Sequence, residues 1–385
     1  MPNFDFLADR LHSLTDAGRL RSLNPRTHEG MHLLSCDGSR LLNFGSNDYL
    51  GLAAQQTGSP ASDSRCSPLP ASGSGASALV SGWTHRHQLL ADQIAHFEGT
   101  ESAVLFPTGY AACCGTVATL ASAGDLILSD SLNHASLIDG CRLSKAQRVI
   151  YPHGDGEAVG EILAQRRSEF DHVWIVTDGV FGMDGHVAPL NQLTDLANKY
   201  DAFVVVDEAH GTGVLGQSGQ GACQELGVKS QVAVTIGTLS KAIGAQGGFV
   251  AGAQPLIDYL INRCRTLIYS TSLAPYQVEA ALDGLRSVID HPERRKRVQE
   301  LSCRFRDKLS IEAPEPESRV PIIPVVLGDD QKTVRASARL AELGFYVPAI
   351  RPPTVPEGTG RLRVSLSAEH DRAMVDLLAA AIASL

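Results

Sequence analysis

A run of β-branched residues that ends in an acid, Phe203-Val204-Val205-Val206-Asp207, leads into Glu208-Ala209-His210-Gly211. Such a run predicts a buried strand that delivers a carboxylate and, three residues later, an imidazole to its C-terminal edge. Residues 232–237 form a second apolar run, and it delivers Thr238-Leu239-Ser240-Lys241. In open α/β sheets that edge is where ligands bind. A lysine for a Schiff base and an acid for a pyridinium nitrogen are the two protein groups that pyridoxal phosphate requires. Singly, each residue has an ordinary use: Asp207 as a cap, His210 in packing, Lys241 as a solvated cation. The surroundings of the lysine favour the chemical reading. Thr238 and Ser240 flank it, and Gly244, Gly247 and Gly248 follow, a hydroxyl and a tight loop suited to a phosphate.

A second anion element lies upstream. Phe106-Pro107-Thr108-Gly109-Tyr110-Ala111-Ala112 reads as a strand-to-helix turn whose free N–H groups and helix dipole attract negative charge. Asn133-His134-Ala135-Ser136 opens the next helix after a strand, with Asn133 placed to cap it. His134 then emerges at the same sheet edge, where a flat imidazole can stack on a pyridine ring.

The elements that must position these residues alternate. Strand-like runs at 126–129, 148–151, 173–177, 203–207, 232–237 and 248–251 are separated by helical patterns, such as 191–200 with Leu193, Leu196 and Ala197 on one face. This order implies right-handed crossovers and a mostly parallel sheet. From about Pro292 the texture changes to a basic helical run at 293–309, a Pro/Glu-rich loop at 313–318, and further strands and helices at 322–327, 332–343 and 361–366. A final helix carries Met374, Leu377, Leu378 and Ala381 at i, i+3, i+4, i+7. The expected division is residues 1–42 as an N-terminal helix and arm, 43–290 as the large domain and 291–385 as a smaller α+β domain. Residues 55–77, rich in Ser, Pro, Ala and Gly, read as a loop.

The chain has 385 residues, 43% apolar and 19% charged, with a formal net charge of −9. Two domains suit that length. The negative balance argues against a general role on nucleic acid or membrane surfaces. No apolar run approaches a membrane span, and the start lacks a secretory pattern. The eight cysteines show no Cys-x-x-Cys, and Cys113-Cys114 is a vicinal pair inside a helix. A disulfide framework or metal site is therefore a poor reading, and a reduced, cytoplasmic protein is expected.

Two motifs mislead. Gly211-Thr212-Gly213-Val214-Leu215-Gly216 fits G-x-G-x-x-G, but residues 207–210 separate it from the strand and no helical pattern follows. Asp207-Glu208-Ala209-His210 spells a helicase-like box, yet the chain has no G-x-x-x-x-G-K-[ST] phosphate loop.

Over nearly its whole length the chain resembles the α-oxoamine synthases, a branch of the fold-type-I pyridoxal phosphate enzymes. The resemblance rests on Asn43 to Leu52 (Asn-Phe-Gly-Ser-Asn-Asp-Tyr-Leu-Gly-Leu), Thr108-Gly109-Tyr110, Asn133-His134-Ala135-Ser136 and Asp178 to Gly185. It also rests on Asp207 to Gly211, Thr238 to Lys241, Tyr269-Ser270-Thr271-Ser272 and Ile350-Arg351-Pro352-Pro353-Thr354. It implies the fold-type-I transferase fold, with a mostly parallel seven-stranded sheet in the large domain. By resemblance Lys241 carries the Schiff base, Asp207 pairs with the ring nitrogen, His210 contacts the ring hydroxyl and His134 stacks on the ring. Thr238 and the backbone at Gly109 and Tyr110 hold the phosphate, and Thr271 reaches it from the other subunit of a homodimer. Arg21, Asn47, Arg351 and Thr354 bind substrate, arginine being suited to carboxylates by its bidentate fork. The implied reaction is a decarboxylating condensation of L-alanine with a pimeloyl thioester of coenzyme A or acyl carrier protein, in biotin biosynthesis. A glycine-using sister synthase shares every cofactor motif and is the alternative. A non-catalytic cofactor-binding protein is a third.

Some positions depart from the family pattern. Gly182 stands where a serine is usual, Asp178 replaces a glutamate, and Ala78 replaces an arginine. The segment 55–77 replaces a helix. The basic cluster at 294–297 reads either as a docking face for an acyl carrier or as a solvated helix face, the second being the better supported.

Overall fold

The computed structural model describes residues 5–35, 38–53 and 72–385. Its contacts divide the chain into two compact units, residues 50–182 with 186–296, and residues 1–49 with 183–185 and 297–385.

The first unit is built on a seven-stranded sheet. Numbered in chain order within that sheet, the strands are β1 (Ser102–Phe106), β2 (Leu126–Asp130), β3 (Gln147–Tyr151), β4 (Val173–Asp178), β5 (Phe203–Asp207), β6 (Val234–Thr238) and β7 (Gly248–Gly252). Their spatial order is β1-β7-β6-β5-β4-β2-β3. All pairs are parallel except those of β7, which runs against both β1 and β6. Strands β2, β6 and β7 are buried along their whole length, which is why they read as continuous apolar runs rather than alternating ones. One face packs Ile127, Val176, Val205, Ile236 and Val250 against Val117, Leu137 and Leu260 from helices, each such buried side chain contributing roughly 1.5–3 kcal/mol. On the opposite face Gly237 leaves room for the ring of its strand partner Phe249, which a Cβ there would meet at 2.2 Å.

The register aligns the ends that carry chemistry. Asp178 pairs with Asp207 across β4 and β5, Asp207 with Ile236 across β5 and β6, and Gly248 with both Thr238 and Phe106. The strand ends expected from sequence therefore lie along one edge. The expected run 232–237 begins two residues later than read, at Val234, although Ala233 N already bonds Val204 O.

In the second unit the N-terminal strands Arg26–Glu29, His32–Ser35 and Arg40–Asn43 form one sheet with Phe345–Tyr346, which pairs in parallel with Arg40–Asn43. The N-terminal segment thus shares a sheet with the C-terminal part of the chain. A second sheet joins Ile322–Gly328, Gly360–Ser365 and Ala349–Ile350. In the last helix, Arg372–Ala383, the buried residues are Val375, Leu378, Ala379 and Ile382, while Leu377 is 60% exposed. The apolar stripe is one residue out of the expected register, because an alanine-rich helix offers two stripes of nearly equal hydrophobicity and packing selects one. Of the segment 55–77, residues 55–71 lie outside the described residues, and 72–77 end in an isolated bridge between Ser77 and Thr271. Ala78 opens the short π-helix Ala78–Gly82. Among the described residues no helix is long and apolar enough to cross a membrane.

His370 is fully buried in this unit. Its ring stacks on Phe44 at 4.1 Å, Nδ1 accepts from Ser367 N at 3.0 Å, and Nε2 lies 3.1 Å from Asn43 O. Burial pushes its pKa down to about 4, from an ordinary 6.5. The folded state therefore refuses a proton that the unfolded chain accepts. Stability is fully present above pH 6.5 and is lost as pH falls towards 4, by on the order of 3 kcal/mol in total from this one group. Urea unfolding measured between pH 7.5 and 4.5 should show this loss, and His370→Asn should flatten the slope. An equal slope in both proteins would refute the assignment.

Candidate active site

Lys241 follows β6, and His210 follows β5. Lys241 Nζ lies 2.8 Å from His210 Nε2. Asp207 is 3% exposed. Its Oδ1 accepts from Ala209 N at 2.9 Å, and its Oδ2 accepts from Cys113 Sγ at 3.0 Å. His134 feels both Asp207 and Lys241. Burial lowers its pKa first, the lysine charge lowers it further, and Asp207 opposes them. The structure thus brings Asp207, His210, Lys241 and His134 together, as the sequence led us to expect.

Their supports differ in part from expectation. His134, not Asn133, caps the helix Ala135–Leu143, with Nδ1 accepting from Ser136 N and lying 2.7 Å from Ser136 Oγ. Asn133 instead ties the sheet edge together. Its Nδ2 donates to Val176 O at 2.8 Å and Ser129 Oγ at 3.0 Å, and its Oδ1 accepts from Asp178 N at 3.0 Å. An amide has both donors and acceptors, so it can bridge two strands where a cap would use only its oxygen. Asp178 is buried and accepts from His134 N at 2.7 Å. Burial, then the charge of Asp207, raises its pKa well above the carboxylate range.

Glu208 has a separate task. Its buried carboxylate accepts from Ala222 N at 2.9 Å and Cys223 N at 2.7 Å, at the start of the short helix Ala222–Glu225. The helicase-like letters are therefore a buried acid at the strand end, Asp207, beside a structural cap, Glu208. Gly211 to Gly216 makes no strand-to-helix turn, since the helix after it starts only at Ala222. Gly182 packs directly against the site. A Cβ there would meet His210 Nε2 at 2.4 Å, so the glycine that departs from the family pattern leaves His210 room for its position beside Lys241.

The anion turn is also as expected. Thr108 caps the helix Gly109–Leu120 by accepting from Ala111 N. Gly109 and Tyr110 supply first-turn N–H groups that have no partner inside a helix. A Cβ on Gly109 would meet Thr238 at 3.1 Å, and one on Gly248 would meet Thr108 O and the Gly109 Cα at 2.7 Å. This close-packed turn is a cradle of backbone that only glycines permit. Thr238 Oγ1 donates to Gly247 O at 2.9 Å and lies 2.7 Å from Ser240 Oγ. The Tyr110 ring stands edge-on to His134 at 6.4 Å, and its hydroxyl donates to Asp139, which pushes its pKa up to about 12. A lysine amine, a buried acid, an open imidazole ring and a phosphate cradle thus fit pyridoxal phosphate. Thr271 is exposed and bridges Ser77 through its backbone.

The second unit gathers the expected carboxylate binders. Arg21 Nη2 lies 3.3 Å from Pro352 O and 3.4 Å from Thr354 Oγ1. Arg351 donates to Gly18 O, and its Nε is buried with no hydrogen-bond partner. Burial, then the charge of Arg21, lowers the Arg351 pKa. The charge of Asp330 acts on it in the opposite sense. Asn47 Oδ1 accepts from Arg363 Nη1 at 3.0 Å and from the Tyr49 hydroxyl at 3.2 Å. Arg363, 4% exposed on the strand Gly360–Ser365, was not singled out from sequence, where it is one of several alternating strand residues. In the cluster at 294–297, Arg294 donates to Leu50 O at 2.8 Å, the buried Arg295 to Gln217 O at 2.7 Å and Arg297 to His370 O at 3.0 Å, while Lys296 and Arg297 are exposed.

Fold and site together define a lysine-centred, cofactor-dependent α/β enzyme. The aminotransferase class I and II family matches residues 39–382. The 8-amino-7-oxononanoate synthase of Anaeromyxobacter dehalogenans is 42% identical over 384 residues, 99% of this chain and 95% of its own. That of Geobacter sulfurreducens is 41% identical over 98% of this chain and 97% of its own. Among solved structures, serine palmitoyltransferase of Sphingomonas wittichii superposes with a TM-score of 0.87 at 30% identity, over 99% of this chain and 96% of its own. The 8-amino-7-oxononanoate synthase of Francisella tularensis superposes with a TM-score of 0.70 at 27% identity, over 89% and 97%. The chain belongs to the aminotransferase class I and II family and, within it, to the 8-amino-7-oxononanoate synthases.

Proposed function

We propose that this enzyme condenses L-alanine with a pimeloyl thioester, of coenzyme A or acyl carrier protein, releasing carbon dioxide and the thiol and giving 8-amino-7-oxononanoate for biotin. The observation that carries this reading is the Lys241–His210 contact beside the buried Asp207. Bound through Lys241, pyridoxal 5'-phosphate supplies an electron sink that stabilises a carbanion at the α-carbon of the amino acid. Lys241 Nζ would act as the base that takes the α-proton. Asp207 would hold a proton on the ring nitrogen, and His134 would offer a flat face to the ring. His210 would bond the ring hydroxyl, and His210 or His134 would polarise the attacked carbonyl. The N–H groups of Gly109 and Tyr110, with Thr238, hold the phosphate. Asn47 binds the carboxylate of the amino acid, with Arg363 fixing its amide. Arg21, Arg351 and Thr354 take the far carboxylate of the pimeloyl chain. A carbon–carbon bond forms at the thioester carbonyl as the thiolate leaves, the α-carboxylate departs as carbon dioxide, and a proton is returned to the α-carbon to give the amino ketone.

The working form in this reading is a homodimer in which Thr271 of one protomer reaches the phosphate held by the other. In support, Leu79, Val80 and Tyr269 are 55%, 79% and 72% exposed around the Ser77–Thr271 bridge, an apolar patch that a second copy would cover.

Turnover of alanine and glycine with pimeloyl and acetyl thioesters tests the substrates. Alanine with the pimeloyl thioester should lead in kcat/KM, by roughly 10–200-fold over glycine, the range one methyl group commands in an apolar pocket. A preference for glycine would favour the sister synthases instead. Sedimentation of the same preparation should give twice the chain mass, and a monomer would remove the role of Thr271.

A further inference from the structure

Asp207 has both oxygens engaged within the chain, Oδ1 by Ala209 N and Oδ2 by the Cys113 thiol at 3.0 Å. Cys113 is 2% exposed and sits on the helix Gly109–Leu120. It lies four residues after Gly109, so one helix turn joins the phosphate cradle to the acid at the opposite pole of the cofactor. Burial pushes the thiol well up, and the charge of Asp207 and their hydrogen bond push it further. The sulfur is therefore held as S–H, a donor. Ser136 hydroxyl also acts on this thiol, in the opposite sense, and lies 2.7 Å from His134 Nδ1.

A thiol is a weak donor. It can orient a carboxylate while withdrawing little of its negative charge, whereas a hydroxyl in the same place would withdraw more. We propose that Cys113 is a positioning residue, which holds the Asp207 carboxylate in place and leaves its charge available to the ring nitrogen of the cofactor. This rests on the proposed role of Asp207, and its test separates the two.

In the cofactor-free protein, the infrared S–H stretch of Cys113 is identified by difference against Cys113→Ala. It should lie at the low-frequency, strongly bonded end of the cysteine bands and move up in Asp207→Asn, where the acceptor loses its charge. An S–H band that Asp207→Asn leaves in place would overturn the inference and leave the function reading intact. In the loaded enzyme, Cys113→Ser should lower kcat about tenfold with little change in KM for alanine. The nitrogen resonance of isotopically labelled cofactor should move towards the unprotonated position, and Cys113→Ala should move it less. Wild-type kcat and resonance in both variants would also overturn the inference. A ring nitrogen that is unprotonated in the wild type would instead remove the role of Asp207 itself.

Discussion

Lys241→Ala is expected to abolish turnover, leaving on the order of one part in 10⁴ or less, the scale seen when a nucleophile is taken from an active site. The reason is specific to this residue. Lys241 is the amine that stands at 2.8 Å from His210 Nε2, and the proposed cycle uses it twice, as the covalent anchor of the cofactor and as the base. Alanine removes both functions. The purified variant should also lose the visible absorption of lysine-bound cofactor, and borohydride reduction should label no peptide, whereas the parent protein is labelled at Lys241. A variant that keeps the visible band and the label would show that another amine carries the cofactor. Such an outcome would favour the non-catalytic alternative.

Asp207→Asn is expected to act differently. The side chain keeps its shape, and its oxygen can still accept from Ala209 N, so the fold and the attachment at Lys241 should persist. What is lost is a buried negative charge. Removing one fixed group that stabilises developing charge lowers kcat by about 10²–10³-fold, and the upper end is expected here because Asp207 is only 3% exposed and little water can replace it. The expected signature is therefore a retained borohydride label with kcat reduced about a thousandfold. A variant within threefold of wild type would show that the ring nitrogen needs no partner from this strand. The two substitutions together separate holding the cofactor from using it.

The Lys241 and Asp207 positions were both legible in the sequence because each is announced locally. A β-branched run buried on both faces marks its own strand, and the residue after the run must lie at the sheet edge. Thr108-Gly109-Tyr110 was legible for the same reason, since a hydroxyl cap and a glycine mark the start of a helix within a few residues. The Arg-Pro-Pro-Thr segment was legible only through its family likeness, because nothing in its spacing says what it binds. The last helix shows where local signals fail. Met374, Leu377, Leu378 and Ala381 have helical spacing, yet packing buried Val375, Leu378, Ala379 and Ile382, a choice made by the surface the helix meets.

What the sequence determined by itself was the set of parts: the acid and lysine at two strand ends, the glycine turn and the alternation that orders them. Each of these depends on a few neighbouring residues and on a backbone period. Only the tertiary structure decided which parts touch. The Cys113 thiol on Asp207, ninety-four residues apart, the amide of Asn133 across two strands and the Arg363 guanidinium on Asn47 are contacts between distant residues. No local pattern encodes them, because hydrogen bonds of this kind exist only after hydrophobic burial has brought the strands and helices into register.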